Sequence, residues 1–275
     1  MISLLNTMLS YEFLLKAFVV GIVVSLCASM LGVSLVLKRY AMIGDGLSHV
    51  GFGSLAVATA LNMAPLQITI PIVVLSAFLL LRISESSKIK GDSAIAMIST
   101  SALAIGVTVI ALAKGLNNDL YSYMFGSILA MSRADVVLSL VLSGIVLILF
   151  VLFYNNLFAI TFDEAFSRAT GINVDFYNML LAFLTAITIV LGMRIMGALL
   201  ISSLIIFPAL TSMRVFRHFR TVIISSAIIS LLGFVFGMMI SYVAGTPTGA
   251  SVVIVNIFMF ALFSFIRIYL PKSKL

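Results

Sequence analysis

The chain has 275 residues, of which 63% are apolar and only 9% charged. A soluble domain carries about 25% charged residues, so a water-facing surface is excluded. The formal charge is +7, but the basic residues lie scattered in short gaps between apolar runs. That pattern argues for membrane topology and against a nucleic-acid partner, which needs a clustered basic face. The expected fold is an all-α integral membrane protein, a single polytopic domain over 1–275 in contact with membrane lipid.

The first apolar run, 13–37, has no basic region before it and exceeds the length of a signal-peptide core, so it reads as a retained span. Its Cys27, the single cysteine, reads as a packed thiol. A membrane helix needs about 20 mostly apolar residues. On that measure the expected spans are 13–37, 42–61, 65–82, 93–113, 136–159, 175–193, 196–213, 221–244 and 249–270. The Gly-Met-Arg-Ile-Met-Gly stretch at 192–197 divides the sixth from the seventh, and merging that pair would leave eight. Between the fourth and fifth spans, 117–132 combines Asn117, Asn118 and Asp119 with Tyr121, Tyr123 and Phe125. This segment is read as a short helix at the membrane interface, where aromatic rings are favoured.

Charge sets the expected orientation. With the C-terminus in the cytoplasm, the inner side holds Lys38, Arg39, Arg82, Lys88, Lys90, Arg168, Arg214, Arg217, Arg220, Arg267, Lys272 and Lys274. The outer side holds Lys16, Lys114, Arg133 and Arg194, and the N-terminus lies outside. This asymmetry follows the positive-inside rule. The longest inner segment, 160–174, reads as a short amphipathic helix. Thr161 is its expected cap, Asp163 and Glu164 lie in its first turn where the helix dipole favours acids, and Gly171 ends it. Such a helix is either a connector or a docking surface.

Chemistry has few carriers. Of nine acidic residues and two histidines, Asp45 and His49 stand apart, at the start of the second span. Positions i and i+4 share a helix face. A carboxylate and an imidazole there offer oxygen and nitrogen to one cation, a set that suits zinc, manganese or iron. Counted along a continuous helix from Arg39, His49 lies about 15 Å deep, near the midplane where transporter sites tend to lie. The competing reading makes Asp45 a helix cap and leaves His49 bonded to a nearby carbonyl, but ionisable groups inside membranes are costly and usually functional. His218, among Arg214, Arg217 and Arg220, reads as part of a solvated basic loop. Arg194 reads as an interfacial anchor rather than a gate, and the methionines as packing. The sequence contains no G-x-x-x-x-G-K-[ST] phosphate loop, no H-E-x-x-H and no G-x-S-x-G, so ATP binding by that loop and those two enzyme types are out.

The segment Val36–Leu61 contains Lys38, Arg39, Met42, Gly44, Asp45, Leu47, Ser48 and His49. It resembles the signature of the permease subunits of bacterial zinc and manganese ABC importers. Leu120–Ala130, Phe162–Ile172 and Leu204–Leu210 match that family in order and with similar spacing, so the resemblance covers essentially the whole chain. One departure is Gly51-Phe-Gly53, where many relatives have Leu-Pro-Gly. The resemblance implies a homodimer in the bacterial plasma membrane and an extracytoplasmic solute-binding protein. It also implies two cytoplasmic ATPase subunits docked on the 160–174 loop, where the coupling residues would be Asp163, Glu164, Ala165 and Gly171. Asp45 and His49 would lie on the metal path. The chain would not itself be an enzyme and would bind no cofactor of its own, with ATP acting on the partner. The transported metal would be zinc first, with manganese next and iron compatible. The rival classes are an ATPase-independent secondary transporter or channel, an intramembrane enzyme using Asp45 and His49 as acid and base, and an ABC importer for a larger cargo.

Overall fold

A computed structural model describes residues 10–86, 91–113 and 132–269. In chain order the helices are α1 (Glu12–Leu37), α2 (Ile43–Ala60), α3 (Pro65–Ser86), α4 (Gly91–Leu112), α5 (Arg133–Leu152), α6 (Tyr154–Phe162), α7 (Glu164–Ala169), α8 (Val174–Met196), α9 (Ala198–Val215), α10 (Phe219–Ala244) and α11 (Thr248–Tyr269). No strand occurs among the described residues. This is the arrangement lipid demands, because a helix satisfies its backbone groups within itself. The interfacial helix expected within 117–132 lies almost wholly outside the described residues.

Eight of these helices are long and apolar enough to cross a membrane. The second expected span, α2, is the one not among them; it is 18 residues long and carries Asp45, His49 and several glycines and serines. Its ends nevertheless lie at opposite rims of the bundle. It starts beside the C-terminal end of α1, and the α3 that follows it starts beside Ser132, Asp135 and Arg194. Charged groups collect at those two rims. One holds Lys38, Glu164, Arg82, Arg168 and Asp175, with Arg214 and Arg220 at the ends of α9 and α10. The other holds Glu12, Lys16, Arg133, Asp135 and Arg194.

Backbone geometry ends the elements. Arg39 takes φ 62 after α1, and the Tyr40 amide donates back to the Leu35 carbonyl at 2.8 Å. Asn62 takes φ 53 after α2, and the Met63 amide donates to Ala58 at 2.9 Å. Both are six-to-one closures around a left-handed residue. The sixth and seventh expected spans are separate helices, divided by the single residue Gly197 at φ 84, ψ 159, a region open essentially to glycine alone. The fifth expected span, 136–159, is corrected. Its helix α5 ends at Leu152, and Phe153 turns the chain into α6. Twenty residues already cover about 30 Å, so α5 has crossed the hydrocarbon by then. Along α6, Leu157 and Ile160 are buried while Phe158 and Phe162 are exposed, and both Phe rings lie against Phe219 of α10.

Packing is tightest where small residues meet. A Cβ on Gly32 of α1 would sit 2.0 Å from the Ile205 carbonyl oxygen of α9, and one on Gly53 of α2 would sit 2.5 Å from the Ala102 carbonyl oxygen of α4. Ser226 and Ser230 of α10 donate to the Ser29 and Ser25 carbonyls of α1 at 3.2 and 3.0 Å. Cys27 is packed as expected, with its thiol against the Ser143 carbonyl of α5 at 3.4 Å. Close backbone approach and interhelical hydroxyl bonds hold helices together where lipid removes any hydrophobic drive.

Candidate metal site

Helix α2 lies within a cage of α4, α3, α9 and α8. From Met42 to Ala56 every side chain is buried except Met42, Asp45 and His49. Those three are spaced i, i+3 and i+7, so they share the one open face of the helix. The pairing expected from spacing is present, with His49 Nε2 3.6 Å from Asp45 Oδ2 and side chains 24% and 46% exposed, respectively. Behind the pair, Ser48 donates to the Gly44 carbonyl at 2.8 Å, and its oxygen lies 3.4 Å from Ser202 Oγ of α9. A helix crossing there needs small residues, which Gly44, opposite Ile205, and Gly46, opposite Ile95, supply.

The depth argument is corrected in its route. The chain from Arg39 to Met42 is a turn and not helix, so His49 lies about 9 Å above the start of its own helix. The turn folds back beside Leu35, so α2 starts next to the last turn of α1. The neighbours along this stretch are Ile95 of α4 at Gly46, Ser202 of α9 at Ser48 and Val73 of α3 at Gly51. Asp45 and His49 contribute at most three donor atoms, and no group of three or more His, Cys, Asp or Glu forms a cation cage among the described residues. This is a half-open site, unlike the closed four-ligand shell of a structural zinc.

The second expected site is the 160–174 segment. Thr161 does not cap the short helix. It belongs to α6, and its hydroxyl donates to the Leu157 carbonyl at 2.6 Å. The cap is Asp163 itself, whose Oδ1 accepts from the Phe166 amide at 2.9 Å. Gly171, at φ +88, turns the chain after α7, as expected. Glu164 and Ala165 lie on the exposed side of α7, as does Phe166. Arg168 holds Asp175 at the start of α8 at 2.8 Å.

Several partners were not visible in the sequence. In the sequence Lys38 reads as a topogenic charge and a member of the Val36–Leu61 signature, yet its side chain is 4% exposed and is paired with Glu164. Asn178, an amide inside an apolar run, was the one available signal for that network, and it accepts from Lys38 at 2.6 Å. Arg194 is held in an ion pair with Asp135 of α5 at 3.0 Å, which makes it a fixed clamp between α8 and α5. In the last turn of α9, Arg214 stacks over the Phe260 ring of α11 at 4.9 Å, while His218 in the loop that follows is exposed as expected.

Residues 10–267 match the ABC 3 transport family. The high-affinity zinc uptake system membrane protein ZnuB of Haemophilus influenzae is 32% identical over 94% of this chain and 98% of its own length. The manganese transport system membrane protein MntC of Halalkalibacterium halodurans is 29% identical over 98% of this chain and 91% of its own. Among solved structures, PsaBC from Streptococcus pneumoniae in complex with Fab superposes with a TM-score of 0.87 at 29% identity, covering 100% of this chain and 98% of that one. A bundle of lipid-length helices around an Asp–His pair and a match over nearly the whole length make this chain a multi-pass membrane permease of the ABC 3 transport family, whose relatives serve zinc and manganese.

Proposed function

We propose that this chain is the membrane-spanning subunit of an ATP-driven importer for a divalent metal, zinc first and manganese next. Asp45 and His49 are its metal-handling residues. The observation that carries the reading is their isolation: they are two of only three open side chains on an otherwise buried stretch of α2. Polar groups exposed at that depth need protein or water against them rather than lipid. A second copy of the chain facing this side would close a polar cavity and bring further donors, which supports the homodimer implied by the resemblance. Two ligands per copy, one carboxylate and one imidazole, suit zinc and manganese alike, and their sparseness suits a cargo that must be released.

In this scheme the rim bearing Lys38, Arg82, Arg168 and Arg220 faces the cytoplasm, in line with the positive-inside rule. Helix α7 then lies at the ATPase side, with Asp163, Glu164, Ala165 and Gly171 forming and closing the coupling helix. A solute-binding protein delivers the metal at the opposite rim. ATP is bound and hydrolysed by separate subunits, in keeping with the missing phosphate loop. The test is metal uptake by proteoliposomes holding the chain with its ATPase and binding protein. Asp45→Ala and His49→Ala are each expected to lower ATP-dependent uptake by about 10- to 100-fold or more, since even a partner of a metal ligand is worth that much. Wild-type uptake rates in both correctly assembled variants would sink the assignment. Competition between zinc and manganese for the wild type names the cargo.

A further inference from the structure

Lys38 closes α1 at the cytoplasmic rim of the proposed topology, and its ammonium is almost fully buried. It donates to three acceptors: the Ile160 carbonyl at 3.3 Å, Asn178 Oδ1 at 2.6 Å and the Glu164 carboxylate. An ammonium has three donors, and here each has a partner. Asn178 Nδ2 in turn donates to Glu164 Oε1 at 3.4 Å. One cation thus ties together the end of α6, the first residue of α7, the second turn of α8 and the C-terminus of α1, where a positive charge also suits the helix dipole.

The chain just after Lys38 is equally constrained. The Arg39 amide donates to Val36 at 3.1 Å, the Tyr40 amide to Leu35 at 2.8 Å and the Ile43 amide to Tyr40 at 3.0 Å. Four residues, 39–42, therefore join the clamp to the first turn of α2, where Asp45 lies. Helix α7 packs chiefly on its chain neighbours α6 and α8, so its Glu164 contact with Lys38 is a direct polar link from the short helix to the distant α1–α2 corner.

We propose that Lys38 is a positioning residue that carries movement of α7 to the metal-bearing helix α2, through its bond to Glu164 and the hydrogen-bonded turn at 39–42. The proposal rests on the reading of α7 as the ATPase-coupling helix and of α2 as the metal helix. A charge-assisted bond at a buried ammonium resists breaking, so a shift of α7 displaces the α1–α2 corner with it.

The experiment measures metal transported and ATP hydrolysed in parallel, in proteoliposomes of the complete transporter, for wild type, Lys38→Met and Glu164→Ala. The quantity read is metal moved per ATP. Loss of the link is expected to lower this ratio by about 5- to 100-fold, the range of coupling between linked sites. A merely structural role would lower transport and hydrolysis together and leave the ratio at the wild-type value, which would overturn the proposal. If Lys38→Met does not assemble, Glu164→Ala decides alone, because it removes the acceptor at a side chain exposed enough for the change to be tolerated. A wild-type ratio in that variant overturns the proposal but leaves the proposed function standing. Absence of any ATP-dependent divalent-metal transport by the wild type overturns both.

Discussion

Gly32 and Gly144 are both glycines within apolar helices, yet they face opposite surroundings. Gly32 holds α1 against the Ile205 carbonyl oxygen, where an added Cβ would lie at 2.0 Å, and Gly144 has nothing within 4 Å of that position. Gly32→Ala must push two backbones apart, an overpacking cost of about 1–3 kcal/mol. Gly144→Ala meets open space and gains about 1 kcal/mol of helix propensity. Thermal unfolding in detergent is expected to fall clearly for the first and to hold or rise for the second. Equal midpoints would mean that α1 and α9 do not touch as described. No sequence signal separates these two glycines, because each sits in an apolar run and the difference lies in what another helix brings alongside.

At the scale of elements, the two short segments carry the most specific expectations. Helix α7 has only six residues, and Asp163 supplies its cap. A helix that short does not hold without such support. Asp163→Ala should cost about 1 kcal/mol locally and, if α7 couples to an ATPase, reduce ATP-driven uptake. Asp163→Asn, which caps as well, should restore it, and failure of Asn to do so would point to the charge rather than the cap. The α8–α9 break is a second case. Gly197→Ala forces a residue with a Cβ into φ 84, ψ 159, at a cost of about 1–3 kcal/mol. A lower unfolding midpoint with unchanged insertion is the expected result. The sequence already pointed to this break through its paired glycines at 192 and 197. It marked the end of α5 at Leu152 only weakly, since no proline or glycine stands there and Asn155 and Asn156 are the sole interruption of the apolar residues up to 159. There the decision belongs to packing, as α6 turns its aromatic face towards Phe219 of α10.

For the whole molecule, the proposed orientation is open to a direct check. Ala134 and His218 are exposed at opposite rims, and the native Cys27 is buried. An impermeant thiol reagent on intact cells should label Ala134→Cys and reach His218→Cys only after permeabilisation. The reverse pattern would invert the topology. Composition and hydrophobic run length alone determined that the chain lives in lipid as a multi-span helical bundle, because a bilayer imposes a length and forbids unpaired backbone. The i, i+4 spacing alone placed Asp45 and His49 on one face, because the α-helical repeat is local. Tertiary structure decided which face of α2 stays open, since that depends on how α4, α3, α9 and α8 close around it. It also decided that Lys38 and Glu164, 126 positions apart, share one ion pair in which the lysine side is buried. Contacts of that kind arise from how helices are arranged in three dimensions, and no local pattern of residues encodes them.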